Sequence, residues 1–195
     1  MRIDNLLINK ENNYMKVFLF SGMHGVGKGF FLDKVKGKLL NYDIYSASQL
    51  IEQYQPSTDA GYKKVASVSN NQDVLIKALN EKKSQSVNDF IVDGHLCIFN
   101  SRGEVERIPE YFFCETGITG ILLLQDNPQR IFERLQKRDS SSISINDITR
   151  VQDEERKYAC DLQGKYQIRN VIISHECTDD QFVETLKEIG GDTDE

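Results

Sequence analysis

The chain has 195 residues, 39% hydrophobic and 28% charged, enough for one α/β-sized domain that buries its core without disulfide staples. No apolar run approaches the roughly 20 residues of a membrane-spanning helix. A net charge of −6 argues against a general nucleic-acid role, because a polyanion is held by a basic face, and leaves small ligands as the expected partners.

Taken in chain order, residues 1–14 are polar and asparagine-rich. They read as a flexible arm ahead of a single domain over 15–189. Val17 to Ser21 is a continuous apolar run, the pattern of a strand buried on both faces. A glycine-rich turn follows. Lys28 to Leu40 then reads as a helix with Phe31, Val35 and Leu39 inward. Further strands are predicted at Asp43 to Tyr45, Phe90 to Asp93, Gly120 to Leu124 and Val171 to Ile173. Helices are predicted at Ala47 to Tyr54, Asn71 to Lys82, Pro128 to Arg138, Asn146 to Leu162 and Asp179 to Ile189. Asp126-Asn127-Pro128 sets the helix from Pro128 in register, a cap residue before a proline whose missing N–H does no harm in the first turn. Ser144-x-x-Asp147 is a weaker capping signal for the helix after it. Residues 190–195 have no apolar side chain and read as an acidic tail. Strands alternating with amphipathic helices predict an α/β fold.

Cys97, Cys114, Cys160 and Cys177 form no C-x-x-C pair and read as reduced thiols of a cytoplasmic protein. His24, His95 and His175 make no H-x-x-x-H motif, so no zinc site is expected.

The chemistry concentrates after the first strand. Gly22-x-x-x-x-Gly27-Lys28 lies between a strand and a helix, where glycines let consecutive N–H groups face phosphate oxygens. The helix N-terminus adds partial positive charge, and Lys28 reaches the β- and γ-phosphates. Gly22, His24, Gly25, Val26, Gly27, Lys28, Gly29 and Phe30 are therefore the expected nucleotide contacts, with ATP and Mg²⁺ as the ligands. Gly29 and Phe30 leave both positions after Lys28 without the hydroxyl that usually meets Mg²⁺. The metal then relies on water, phosphate oxygens and a carboxylate elsewhere. His24 reads equally as a phosphate contact or as a loop residue.

Gly-x-x-Gly-x-Gly-Lys-Gly resembles the loop of adenylate kinase and its nucleoside and nucleotide kinase relatives, with His24 in place of a proline and Phe30 in place of a threonine. The resemblance extends in element order over roughly residues 15–175. It implies a three-layer α/β/α P-loop fold with a five-stranded parallel sheet in the order 2-3-1-4-5. Asp93-Gly94 resembles the Walker B segment. There Asp93 would hold Mg²⁺ through water or orient the acceptor hydroxyl, the alternative being a turn-capping Asp. Arg130, Arg134 and Arg138 fall on one helical face, and Arg134-x-x-x-Arg138 resembles the arginines at the entrance to the lid of these kinases, with a solvated face as the plainer reading. The lid itself would be the short stretch 139–144. His95, Lys63 and Lys64 are candidates for the acceptor side, His95 reading as acceptor contact, base or structural histidine, and Arg102 and Arg107 as further cations for an anionic acceptor.

The implied activity is transfer of the ATP γ-phosphate to a small acceptor, a nucleoside, nucleotide or similar metabolite. A P-loop ATPase switch and a degenerate nucleotide-binding module remain the alternatives. AMP is not expected to be an efficient acceptor: the two arginines that hold the monophosphate in adenylate kinases align near Glu52 and at Cys97, neither of them cationic.

Overall fold

In the computed structural model, which describes residues 15–54, 68–100, 102–139 and 143–191, the predicted apolar runs pair into one parallel sheet. Its strands are β1 (Val17–Ser21), β2 (Tyr42–Ser46), β3 (Asp89–Asp93), β6 (Ile118–Leu124) and β7 (Arg169–Ile173), in the order β2-β3-β1-β6-β7. The numbering departs from the expected 2-3-1-4-5 because a short antiparallel hairpin, β4 (Cys97–Phe99) with β5 (Val105–Arg107), is inserted between the third and fourth sheet strands. The arm 1–14, Lys63, Lys64, lid residues 140–142 and the last four residues of the tail lie outside the described residues.

The helices are α1 (Lys28–Val35), α2 (Ala47–Tyr54), α3 (Val68–Lys83), α4 (Glu110–Thr116), α5 (Pro128–Asp139), α6 (Ile145–Tyr166) and α7 (Asp179–Gly190). The first is shorter than expected. Its last turn tightens into a 3₁₀ segment over Lys36–Lys38, centred on Gly37, a residue that weakens an α-helix, yet Leu39 still reaches the core. Helix α4 went unpredicted although Pro109 at its N-cap and the left-handed Gly117 at its C-cap bracket it.

Alternation along β1 builds the layers. Val17 and Leu19 enter a core with α3, α4 and the C-terminal half of α6, including Leu79, Phe112 and Leu162. Phe18 and Phe20 enter the opposite core with α1, α5 and α7, including Phe31, Ile131 and Phe182. Parallel register then brings the strand ends level: Asp93 stands opposite Phe20 on one side and Ser46 on the other. The C-terminal edge of β1, β2 and β3 is thus a single ledge of loops, the usual place for a ligand in an open α/β sheet.

Helix α6 overhangs that ledge, and its start is fixed by a capping box. Asp147 N donates to Ser144 Oγ at 3.1 Å and Ser144 N donates to Asp147 Oδ2 at 3.2 Å. Ser144→Ala is expected to cost about 0.5–2 kcal/mol, the usual value of an N-cap side chain. Urea unfolding should show a lower midpoint with an unchanged slope.

Candidate active site

The glycine-rich loop leaves the sheet at Ser21 and re-enters the fold at α1. Gly22 has φ of 152° and sits so close to β6 that a Cβ there would lie 2.5 Å from the Leu124 carbonyl oxygen. Gly27 caps α1 with φ of 101° and no side-chain capping bond, so no side chain competes for the first amides of the helix. The loop is pinned from behind by buried Val26. The Val26 carbonyl accepts from Arg134 Nη1 at 3.0 Å and lies 2.6 Å from His175 Nε2.

Lys28 is 8% exposed. Its Nζ donates to the Gly22 carbonyl at 2.7 Å, lies 3.4 Å from His95 Nδ1 and 3.7 Å from Asp93 Oδ1. Burial lowers the lysine's pKa against the pull of Asp93 and Glu155. Burial likewise raises that of Asp93, with Lys28 opposing. His95 falls to about 3, first through burial and then through the charge of Lys28, with the Gly22 carbonyl acting the other way. At neutral pH the imidazole is therefore uncharged, which favours an orienting role over that of a general base.

Beneath this group is a residue the sequence reading did not single out. Glu155 on α6 is fully buried. Its Oε1 accepts from Ser21 Oγ at 3.2 Å, and that hydroxyl in turn accepts from Leu96 N at 2.8 Å. Its Oε2 has no hydrogen-bond partner. Burial pushes the carboxyl up to about 7, against Lys28, Ser21 and the amides of Leu96 and Cys97. The signal in the sequence is helical phase: Glu155 stands four residues after Val151 and four before Ala159, both core residues. Local composition hid it, since Asp153-Glu154-Glu155-Arg156 reads as a solvated charge run.

A cavity of about 500 Å³ opens above Lys28 and gathers most of the expected residues: His24, Gly25, Gly27, Gly29, Phe30, Asp93, His95, Arg134 and Arg138 border it. Ser46 at the end of β2 and Ser48 in the first turn of α2 also line it, their hydroxyls 3.0 Å apart. They restore to the cavity the hydroxyls that Gly29 and Phe30 lack. Phe30 is 75% exposed. Arg138 bonds His24, and Arg134 is held by Asp126 as well as by Val26. Arg130 leans on Asp126 at 3.6 Å and stays outside this cavity.

Arg102 pairs with Glu104 at 3.1 Å, while Arg107 is held by Glu154 at 2.6 Å and Asp161 at 2.8 Å over the ring of Tyr158. Neither cation faces the site. Glu52 is exposed and lines none of the cavities around Lys28 and His95. Among the described residues no group of three or more His, Cys, Asp or Glu side chains could hold a metal. One carboxylate, two hydroxyls and the phosphate oxygens of a bound nucleotide suit Mg²⁺, which keeps several waters, and do not suit a resident metal. The four cysteines are free thiols, and no helix of the described residues is long and apolar enough to cross a membrane.

Comparison with known proteins follows the same lines. A family model described as AAA domain matches residues 21–152. An adenylate kinase from Sulfurisphaera tokodaii is 29% identical over 140 residues, covering 65% of this chain and 71% of that one. The structure of the Deinococcus radiodurans tunicamycin resistance protein superimposes with a TM-score of 0.57 at 15% identity, over 92% of this chain and 98% of that one, which marks a shared fold.

A carboxyl whose pKa is raised on folding binds its extra proton between the unfolded value, about 4.3, and the folded value. Stability from that group therefore falls as pH rises through this window and then levels off. For Glu155 the window closes near 7. Glu155→Gln removes the titration and should gain stability relative to the parent between about pH 5 and pH 8, by on the order of 1–3 kcal/mol. Denaturant melts of both proteins across that range read the difference. A gap that does not change with pH would mean that the carboxyl does not titrate there.

Proposed function

We propose that the chain is an ATP-dependent small-molecule kinase; it belongs to the AAA domain family and is a P-loop, kinase-like protein. The observation that carries this reading is the position of His95. It borders the cavity above Lys28 and also two further cavities, so the proposed phosphate site is continuous with space for a second substrate. A switch ATPase needs only the first. The absent hydroxyl after Lys28 favours a degenerate module, but Ser46 and Ser48 offset that loss.

In the proposed reaction the acceptor hydroxyl oxygen bonds to the γ-phosphorus, the bond from that phosphorus to the bridging oxygen breaks, and ADP leaves. Lys28 neutralises β/γ oxygens, exchanging its bond to the Gly22 carbonyl for bonds to phosphate. Arg134 and Arg138, already at the cavity wall, meet charge that spreads over the transferred group. Asp93 accepts the hydroxyl proton, its pKa raised by burial towards that task. Neutral His95 holds the hydroxyl in line. Asp93, with Ser46 and Ser48 beside it, would hold Mg²⁺ through water, and the ion supplies further neutralisation of phosphate charge.

The screen that tests this measures ADP release from ATP with Mg²⁺ over nucleosides, nucleotides and small metabolites. Acceptor-dependent release supports the kinase reading. Release without an acceptor indicates a switch, and tight ATP binding without turnover a degenerate module. Lys28→Ala is expected to weaken ATP binding by about tenfold or more. Because Lys28 also balances Asp93 and Glu155, the same variant should unfold at lower denaturant while remaining folded in water. Unchanged ATP affinity in folded K28A would remove the cradle assignment. Asp93→Asn should lower turnover by about tenfold or more with little change in nucleotide affinity. Parental turnover in D93N would leave Asp93 as a turn residue.

A further inference from the structure

The cavity above Lys28 is joined by a second of about 510 Å³, which shares Met23, His24, His95 and Leu135 with it. Its far wall is apolar: Ile98 and Phe99 from hairpin strand β4, Val151 from α6, and Ile143. That volume lies within the roughly 300–1,000 Å³ that takes a drug-sized molecule. It is much more than a phosphate group requires.

The cations around this chamber stand behind or beside its lining residues and not among them. No lysine or arginine of the described residues lines it, whereas Asp147 does. Arg150 at the rim is bound to Asp147 Oδ1 at 3.0 Å and to the Gly103 carbonyl at 3.3 Å. Arg107 on the paired hairpin strand is consumed by Glu154 and Asp161. Cys97 offers a protonated thiol, since burial raises its pKa, and behind it Glu155 is fully buried. Asp147 is already paired with Arg150 and Ser144, so an anion moved into this space loses water against an apolar wall and finds no ammonium or guanidinium lining it, which disfavours it by desolvation. An apolar ring or chain gains by the same transfer. Two imidazoles line both cavities; that of His24 is bonded to Arg138, and that of His95 is a hydrogen-bonding partner for one hydroxyl placed at the junction.

We propose that this chamber holds the body of the phosphate acceptor, and that the acceptor is an uncharged alcohol with a largely apolar body, its reacting hydroxyl beside His95. The assignment rests on the kinase reading above for the reaction, but the chamber can be tested by binding alone. Specificity then follows from exclusion: phosphorylated and carboxylated metabolites are rejected by the wall itself.

The test has two arms on the full-length chain. The first measures ADP release from ATP with Mg²⁺ for matched acceptors, thymidine against thymidine monophosphate and naphthylethanol against gluconate. In each pair the uncharged compound should exceed the anion by about tenfold or more in kcat/KM. The second measures equilibrium binding of naphthylethanol by calorimetry, with the ATP analogue AMP-PNP present. Ile98→Trp, which fills the chamber, should weaken that binding by about tenfold or more while AMP-PNP affinity, read separately, confirms an intact fold. Val151→Phe on the opposite wall is the second filling variant. Naphthylethanol binding that I98W and V151F abolish, with no ADP release from any acceptor, upholds the chamber and removes the kinase reading. Turnover that favours the anion of either pair overturns the inference and keeps the kinase. Absent naphthylethanol binding, or binding indifferent to both filling variants, also overturns it.

Discussion

Everything at this site depends on keeping one ammonium group out of water. Lys28 lies under a glycine loop, held by the Gly22 carbonyl and facing Asp93 at the end of the neighbouring strand. A lone buried ammonium would lose its proton, and the lowered pKa of Lys28 records that pressure. Two carboxylates resist it, Asp93 and Glu155. The sheet makes this possible, because parallel pairing of β1 with β3 puts the loop and Asp93 on one ledge. Helix α6 completes the arrangement by lowering Glu155 into the core behind Ser21.

The balance is incomplete by design of the fold. With both carboxylates ionised the group is negative, and one Glu155 oxygen has no donor. Such a group resists further negative charge, yet the ligand it would meet is a polyphosphate. Burial raises the Glu155 carboxyl to about 7, and the Ser21 hydroxyl links it to the Leu96 amide at the start of the hairpin. Removing either partner of a buried pair costs more than forming it gains, so the three ionisable groups constrain one another.

Two kinds of wall divide the neighbouring space. The side over the glycine loop is built of glycine backbone, Lys28 and the arginines of α5, so it is largely cationic and shaped by main chain. The adjoining chamber is built of hairpin and α6 side chains, so it is apolar and shaped by side-chain volume. His95 belongs to both. Its suppressed pKa follows from that position, buried at a junction and facing an ammonium. A neutral imidazole can then serve the boundary between a charged and an uncharged ligand without adding charge to either.

The sequence by itself carried the glycine-rich loop and the parallel sheet. Gly22-x-x-x-x-Gly27-Lys28 acts through backbone freedom and helix position, both local properties, and the strands announce themselves as unbroken apolar runs because both faces are covered. Asp93 was legible for a similar reason, a lone carboxylate ending such a run. The hairpin and α4 were not, because elements of three and seven residues are too short to show a period. Nor could the sequence place Ser46, Ser48 and Glu155. Each is an ordinary polar residue in its own neighbourhood and gains its role from groups far along the chain: Glu155 meets Ser21 across 134 residues. Charge was the hardest property to read. Arg107 was a candidate cation for an anionic acceptor, but tertiary pairing spends it on Glu154 and Asp161, whereas the capping residue Asp147 also comes to line the chamber. Local sequence fixes which groups exist, whereas burial and pairing fix which of them a ligand meets, and those arise only when distant segments pack.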